Sequence, residues 1–159
     1  MNRGSMLGIT FGVVLIGGLF AWVLTAPYLS NQGLARTPGV IIGGTLTEAP
    51  EDFTPLNESV QGPLYMKQAG FPPAVVYLSW VGTEDGVITA TRPDDGYWAR
   101  RVRERGGDGW LRIGDATYSM EAIEIHEQWA SKSGRSMDEP LYAGSEPLRE
   151  WEVFFWEPK

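Results

Sequence analysis

The sequence predicts a mainly β protein: an N-terminal transmembrane helix followed by a small antiparallel barrel that contains one short helix. Three observations predict it. Residues 6–24 form an apolar run, and no charged residue occurs between Arg3 and Arg36. After residue 60, short segments rich in β-branched and aromatic residues alternate with Gly and Asp turn signals. Between them lies a single stretch, beginning near Tyr97, with helical rather than alternating spacing.

A bilayer core of about 30 Å takes roughly 20 apolar residues at about 1.5 Å each. Within hydrocarbon such a run must be helical, because each peptide group has to bond inside its own segment. Gly8, Gly12, Gly17 and Gly18 are tolerated in membrane spans, and Trp22 and Tyr28 mark the distal interface. Arg3 and the amino terminus flank the near end, so charge bias places the N-terminus in the cytoplasm and the domain outside it, as a single-pass membrane protein. The expected organisation is an anchor at 1–29, a linker at 30–38 and a β domain at 39–159. A cleaved signal peptide is the rival reading, but the run exceeds the usual apolar length and Pro27 directly follows the best site, Ala26. Gly8 and Gly12 have the spacing of a helix-dimer face.

The elements follow in order. Residues 39–46 hold a short apolar piece and a glycine turn, and 48–57 form an irregular segment with Phe53 and Leu56 packed down. Strands are expected at 63–68 and at 73–81, the latter the richest in β-branched and aromatic residues. Asp85-Gly86 marks a hairpin turn into a strand at 87–91. Asp94-Asp95-Gly96 opens the helix, on which Tyr97, Trp98, Arg101 and Val102 share helical spacing, and Gly106-Gly107 ends it. Residues 110–113 and 118–125 form a second hairpin around Gly114-Asp115. A short helix or irregular crossing is expected near 128–132, and an aromatic strand at 151–156 docks in the sheet. This gives about six strands and one internal helix, which suits a small antiparallel barrel.

Composition excludes several functions. There is no cysteine, hence no disulfide or thiolate chemistry, and His126 is the one histidine, so paired-histidine sites are excluded. The net charge is −7, and every acidic residue lies at or after Glu48, a balance that argues against nucleic acid as a partner. Six of the thirteen basic residues, Arg92, Arg100, Arg101, Arg103, Arg105 and Arg112, nevertheless cluster in the middle of the chain. Guanidinium groups there suit phosphate or carboxylate, with Thr89 and Thr91 as added hydroxyl donors. They equally suit surface pairing with Asp94, Asp95, Glu104 and Asp108. Trp80, Trp98, Trp110, Trp151 and Trp156 fit a small core or a stacking surface.

The order Gly43-Gly44-x-Leu46, residues 73–81, Asp85-Gly86-Val87-Ile88-Thr89-Ala90-Thr91, Tyr97-Trp98 with Arg100-Arg101, and Trp110-Leu111-Arg112-Ile113-Gly114 resembles the split β-barrel superfamily. That group includes pyridoxamine-phosphate-oxidase-like flavin proteins and deazaflavin-dependent nitroreductase-like proteins. The resemblance covers residues 39–125 and implies a split-barrel-like domain. It also implies a site for FMN or deazaflavin in which Thr89, Thr91 and Arg101 hold phosphate and Trp98 lines the ring pocket. A homodimer completing the pocket is a further implication. The Gly-Arg-x-Ser-Gly phosphate pattern of the deazaflavin enzymes is absent before the second strand. The first expectation for function is therefore a membrane-anchored, non-catalytic binding or envelope-interaction module. The alternative is a flavin- or deazaflavin-dependent oxidoreductase.

Overall fold

The computed structural model describes residues 3–29, 40–93, 97–125, 136–141 and 143–159. The expected linker, the Asp94-Asp95-Gly96 helix opening, His126 and the segment at 128–132 lie outside those residues.

The first element, α1, is a helix over Arg3–Leu29. Among the described residues no helix is long and apolar enough to cross a membrane. This corrects the expected fold in its N-terminal part: the transmembrane helix at 1–29 is not supported. The single-pass localisation, with a cytoplasmic N-terminus and an extracytoplasmic domain, falls with it.

The remainder is mainly β, as the alternation requires. The strands are β1 (Thr45–Leu46), β2 (Leu64–Gln68), β3 (Ala74–Leu78), β4 (Trp80–Gly82), β5 (Val87–Thr91), β6 (Asp108–Ile113), β7 (Ala116–Glu124) and β8 (Glu152–Pro158). Among the described residues two helices interrupt them, α2 (Leu56–Ser59) and α3 (Tyr97–Arg105), and a 3-10 turn covers Leu148–Glu150. All eight strands join one sheet in the order β3-β2-β6-β7-β8-β5-β4, antiparallel throughout except for β1, which runs parallel to β7. The sheet curls into a half-barrel, in keeping with a small split-barrel-like domain. Its two edge strands, β3 and β4, are neighbours in sequence with Ser79 alone between them. The segment expected as one strand at 73–81 thus breaks at Ser79 and pairs with β2 before the break and with β5 after it.

Both faces of the sheet are covered. Leu64, Met66, Leu111, Tyr118, Met120, Phe154 and Trp156 pack inward against Phe53 and against Trp98, Ala99 and Val102 of α3. On the other face Ile88, Ala90, Val153 and Phe155 pack against Ile125, Leu141 and Leu148. Strand β8 therefore sends alternate residues into the two clusters and is buried on both sides, which is why its sequence reads as an unbroken aromatic run. At the α3–β6 junction the backbone passes β7 so closely that a Cβ on Gly107 would lie 1.9 Å from the Ala122 carbonyl oxygen.

Candidate functional site

Thr89, Thr91, Trp98 and Arg101 are the residues the sequence nominates. Thr89 sits in the middle of β5, fully buried, where its hydroxyl oxygen accepts a hydrogen bond from the Trp156 indole at 3.0 Å. Thr91 closes the same strand opposite Glu152. Trp98 is buried in the first turn of α3 with its ring 4.6 Å from that of Phe154, and its carbonyl accepts from Gln68 Nε2 at 2.9 Å. The 3.6-residue period of α3 turns Trp98, Ala99, Arg101 and Val102 toward the sheet.

Arg101 is only 3 % exposed. Its guanidinium donates to the carbonyl of Ala69 at 2.7 Å, to the carbonyl of Pro72 and to the Tyr97 hydroxyl at 3.3 Å. Arg105, one turn on, donates to the Phe71 carbonyl at 2.8 Å. The two arginines clip the β2–β3 turn onto α3. The cleft beside them, lined by Tyr97, Arg100, Arg101, Glu104 and Arg105, has a volume of about 60 Å³, well below the roughly 300 Å³ at which small-molecule sites begin. Trp98 and Arg101 thus share one helix but serve different neighbours, the core and the turn.

The other arginines also have partners. Arg103 makes a two-pronged bond to Glu124 (2.7 and 2.5 Å) and reaches Glu152 at 3.0 Å. These bonds, the Glu124 pair foremost, hold its pKa above the ordinary arginine value. Arg112 donates to the carbonyls of Gly114 and Ile42 and lies over the Tyr65 ring. Arg100 approaches Glu104 at 4.0 Å. Of the surface pairs the sequence offers, the one to Glu104 is present; Arg101 and Arg105 spend donors on backbone carbonyls, and Arg112 divides its donors between carbonyls and Asp115 at 3.6 Å. Among the described residues no three His, Cys, Asp or Glu side chains gather as metal ligands.

A larger concavity lies where the sheet splits. It is an open groove of about 530 Å³, bordered on one side by Asn57 and residues 60–63 and on the other by Ser79, Trp80 and Val81. Among the described residues none of its lining side chains is ionisable. Asn57, from α2, holds the groove at one end: its Nδ2 donates to the Gly82 carbonyl at 3.0 Å and its Oδ1 accepts from the Gly82 N–H at 2.7 Å. The Trp80 indole N–H donates to the Gly62 carbonyl at 3.0 Å across the middle. Sequence reasoning missed this site because it depends on the break at Ser79. The one signal was Gly62-Pro63 just before a strand, a pair that turns the chain aside, with Gly62 at φ +93°.

Comparison with known proteins adds no identity to this geometry: no protein-family model matches the chain, and no curated protein matches it in sequence.

Proposed function

We propose that the β domain is a non-catalytic binding module whose ligand lies in the groove at the split of the half-barrel. The observation that carries this reading is the groove itself, about 530 Å³, open, and lined by neutral hydrogen-bonding groups beside the Trp80 indole. Such a lining suits an uncharged ligand recognised by amide bonds and ring contact. In the alternative reading, a flavin- or deazaflavin-dependent oxidoreductase, Thr89, Thr91 and Arg101 hold phosphate. The Thr89 hydroxyl and both terminal nitrogens of the Arg101 guanidinium already bond inside the fold, which favours binding without redox chemistry.

The test is amide chemical-shift mapping of the 15N-labelled full chain with benzamide, N-acetylglucosamine, a blocked neutral peptide and FMN. Saturable shifts confined to residues 57–63 and 79–82 with a neutral probe, lost in Trp80→Ala, support the reading. Saturable shifts around Thr89, Thr91, Trp98 and Arg101 with FMN overturn it in favour of the flavin protein, and the absence of groove shifts with benzamide, N-acetylglucosamine and a blocked neutral peptide overturns it outright.

A further inference from the structure

We propose that the ligand of this groove is an extended polypeptide segment that pairs with β4 as an added strand, opposite Trp80. The inference rests on the binding-module reading and names its ligand class.

The pairing of β2 with β3 sets Leu64 opposite Leu78. Continued one step beyond the break, the same register would set Gly62 opposite Trp80 and Val60 opposite Gly82. The chain does not continue. Gly62 turns it away and Pro63 has no N–H to offer a ladder. The two vacated places are treated differently. At Gly82 the Asn57 carboxamide bonds both the backbone N–H and the C=O, as a peptide group of a neighbouring strand would.

At Trp80 none of the described residues replaces the strand. Gly82 turns its backbone groups away from β5, and Thr83 turns its N–H toward β5, where it meets the Gly86 carbonyl at 2.8 Å. Alternation along β4 then puts the N–H and C=O of Trp80 on the same side as those of Gly82, facing the groove. The Gly62 carbonyl, which a continued ladder would offer to the Trp80 N–H, accepts instead from the Trp80 indole. The side chain thus bonds the carbonyl, and the backbone pair faces the space that the displaced strand would fill.

A single residue of an extended peptide supplies both a donor and an acceptor at the spacing a strand edge requires, so it completes this pair. The lack of ionisable lining groups fits an uncharged backbone better than a phosphate or a carboxylate. The indole spanning to Gly62 favours a small residue directly opposite Trp80.

The experiment uses the 15N-labelled full chain with three probes: the blocked pentapeptide acetyl-Thr-Val-Gly-Val-Thr-amide, the same peptide with sarcosine for glycine, and benzamide. In the free protein the Trp80 amide is expected to exchange fast while the Val81 amide, facing β5, exchanges slowly. The peptide should shift residues 57–63 and 79–82 and slow Trp80 amide exchange at least tenfold. The sarcosine peptide, lacking the central donor, should bind about tenfold more weakly. Groove shifts with unchanged Trp80 exchange and equal binding of both peptides would overturn strand pairing while leaving the binding module standing. Groove shifts with benzamide and none with the peptide would overturn the ligand class alone. If neither probe, nor N-acetylglucosamine, reaches the groove, both readings fall.

Discussion

Arg101 shows how a buried arginine can serve the fold itself, although its Nε stays buried without a partner. Its donors go to the carbonyls of Ala69 and Pro72, backbone groups of a turn with no ladder of their own to join. An arginine with an aromatic neighbour on a helix is easily read as a phosphate contact, because the fork fits either oxygen geometry. Sequence position marked it as important, but its partner became visible only once the turn was placed beside α3. Tyr118 is a residue whose chemistry the strand pattern does not disclose. Burial against Phe53, with ring centroids 5.5 Å apart, pushes its hydroxyl pKa up from 10. The folded chain keeps that proton when the unfolded chain releases it. The stability contributed is therefore complete below about pH 10 and falls as pH rises beyond it. Denaturant titrations of the wild type and Tyr118→Phe across pH 8 to 11 should diverge above about pH 10, with the wild type losing more stability. Parallel curves would remove the effect.

At the scale of elements, the hairpin signals were legible. Strand β5 occupies 87–91, as the Asp85-Gly86 turn implies, and α3 begins at Tyr97 and stops before the glycines at 106 and 107. Both rest on local rules: a turn that demands glycine and a helix that one terminates. The break between β3 and β4 was not legible, because Pro73 to Val81 is uniformly β-forming and only the curl of the sheet makes Ser79 the point where the chain changes partners. Nor did composition show that β1 would lie parallel to β7, a pairing between segments some seventy residues apart. The groove was invisible for the same reason, being a product of the break. Gly107 belongs to this scale, since its role is to let the α3–β6 junction touch β7. Gly107→Ala should cost about 3 kcal/mol, at the upper end for an overpacked site, because the carbonyl of Ala122 is backbone and cannot swing aside. Urea midpoints measure it, and a shift below about 1 kcal/mol would show that the junction yields.

At the scale of the whole molecule, the half-barrel is held by a strand that comes late in the sequence. Val153, Phe154, Phe155 and Trp156 are each at most 1 % exposed and belong alternately to the two hydrophobic clusters. At roughly 2 kcal/mol per fully buried large side chain, these four account for about 8 kcal/mol, comparable to the whole stability of an ordinary domain, about 5–15 kcal/mol. A chain ending at Glu150 should show no cooperative thermal transition by circular dichroism, and a peptide of residues 151–159 added in trans should restore part of it. A sharp transition in the shortened chain would mean that the clusters survive without β8.

The position of β8 between β7 and β5 also bears on synthesis. β5 and β7 are both made before β8, so until β8 emerges each has one edge without the strand that pairs with it in the folded sheet. The β6–β7 hairpin can form at once, because its contacts are local. The half-barrel cannot be completed until β8 clears the exit tunnel. Throughout that interval the nascent chain shows two open strand edges flanked by apolar faces, the state in which a holding chaperone is most useful.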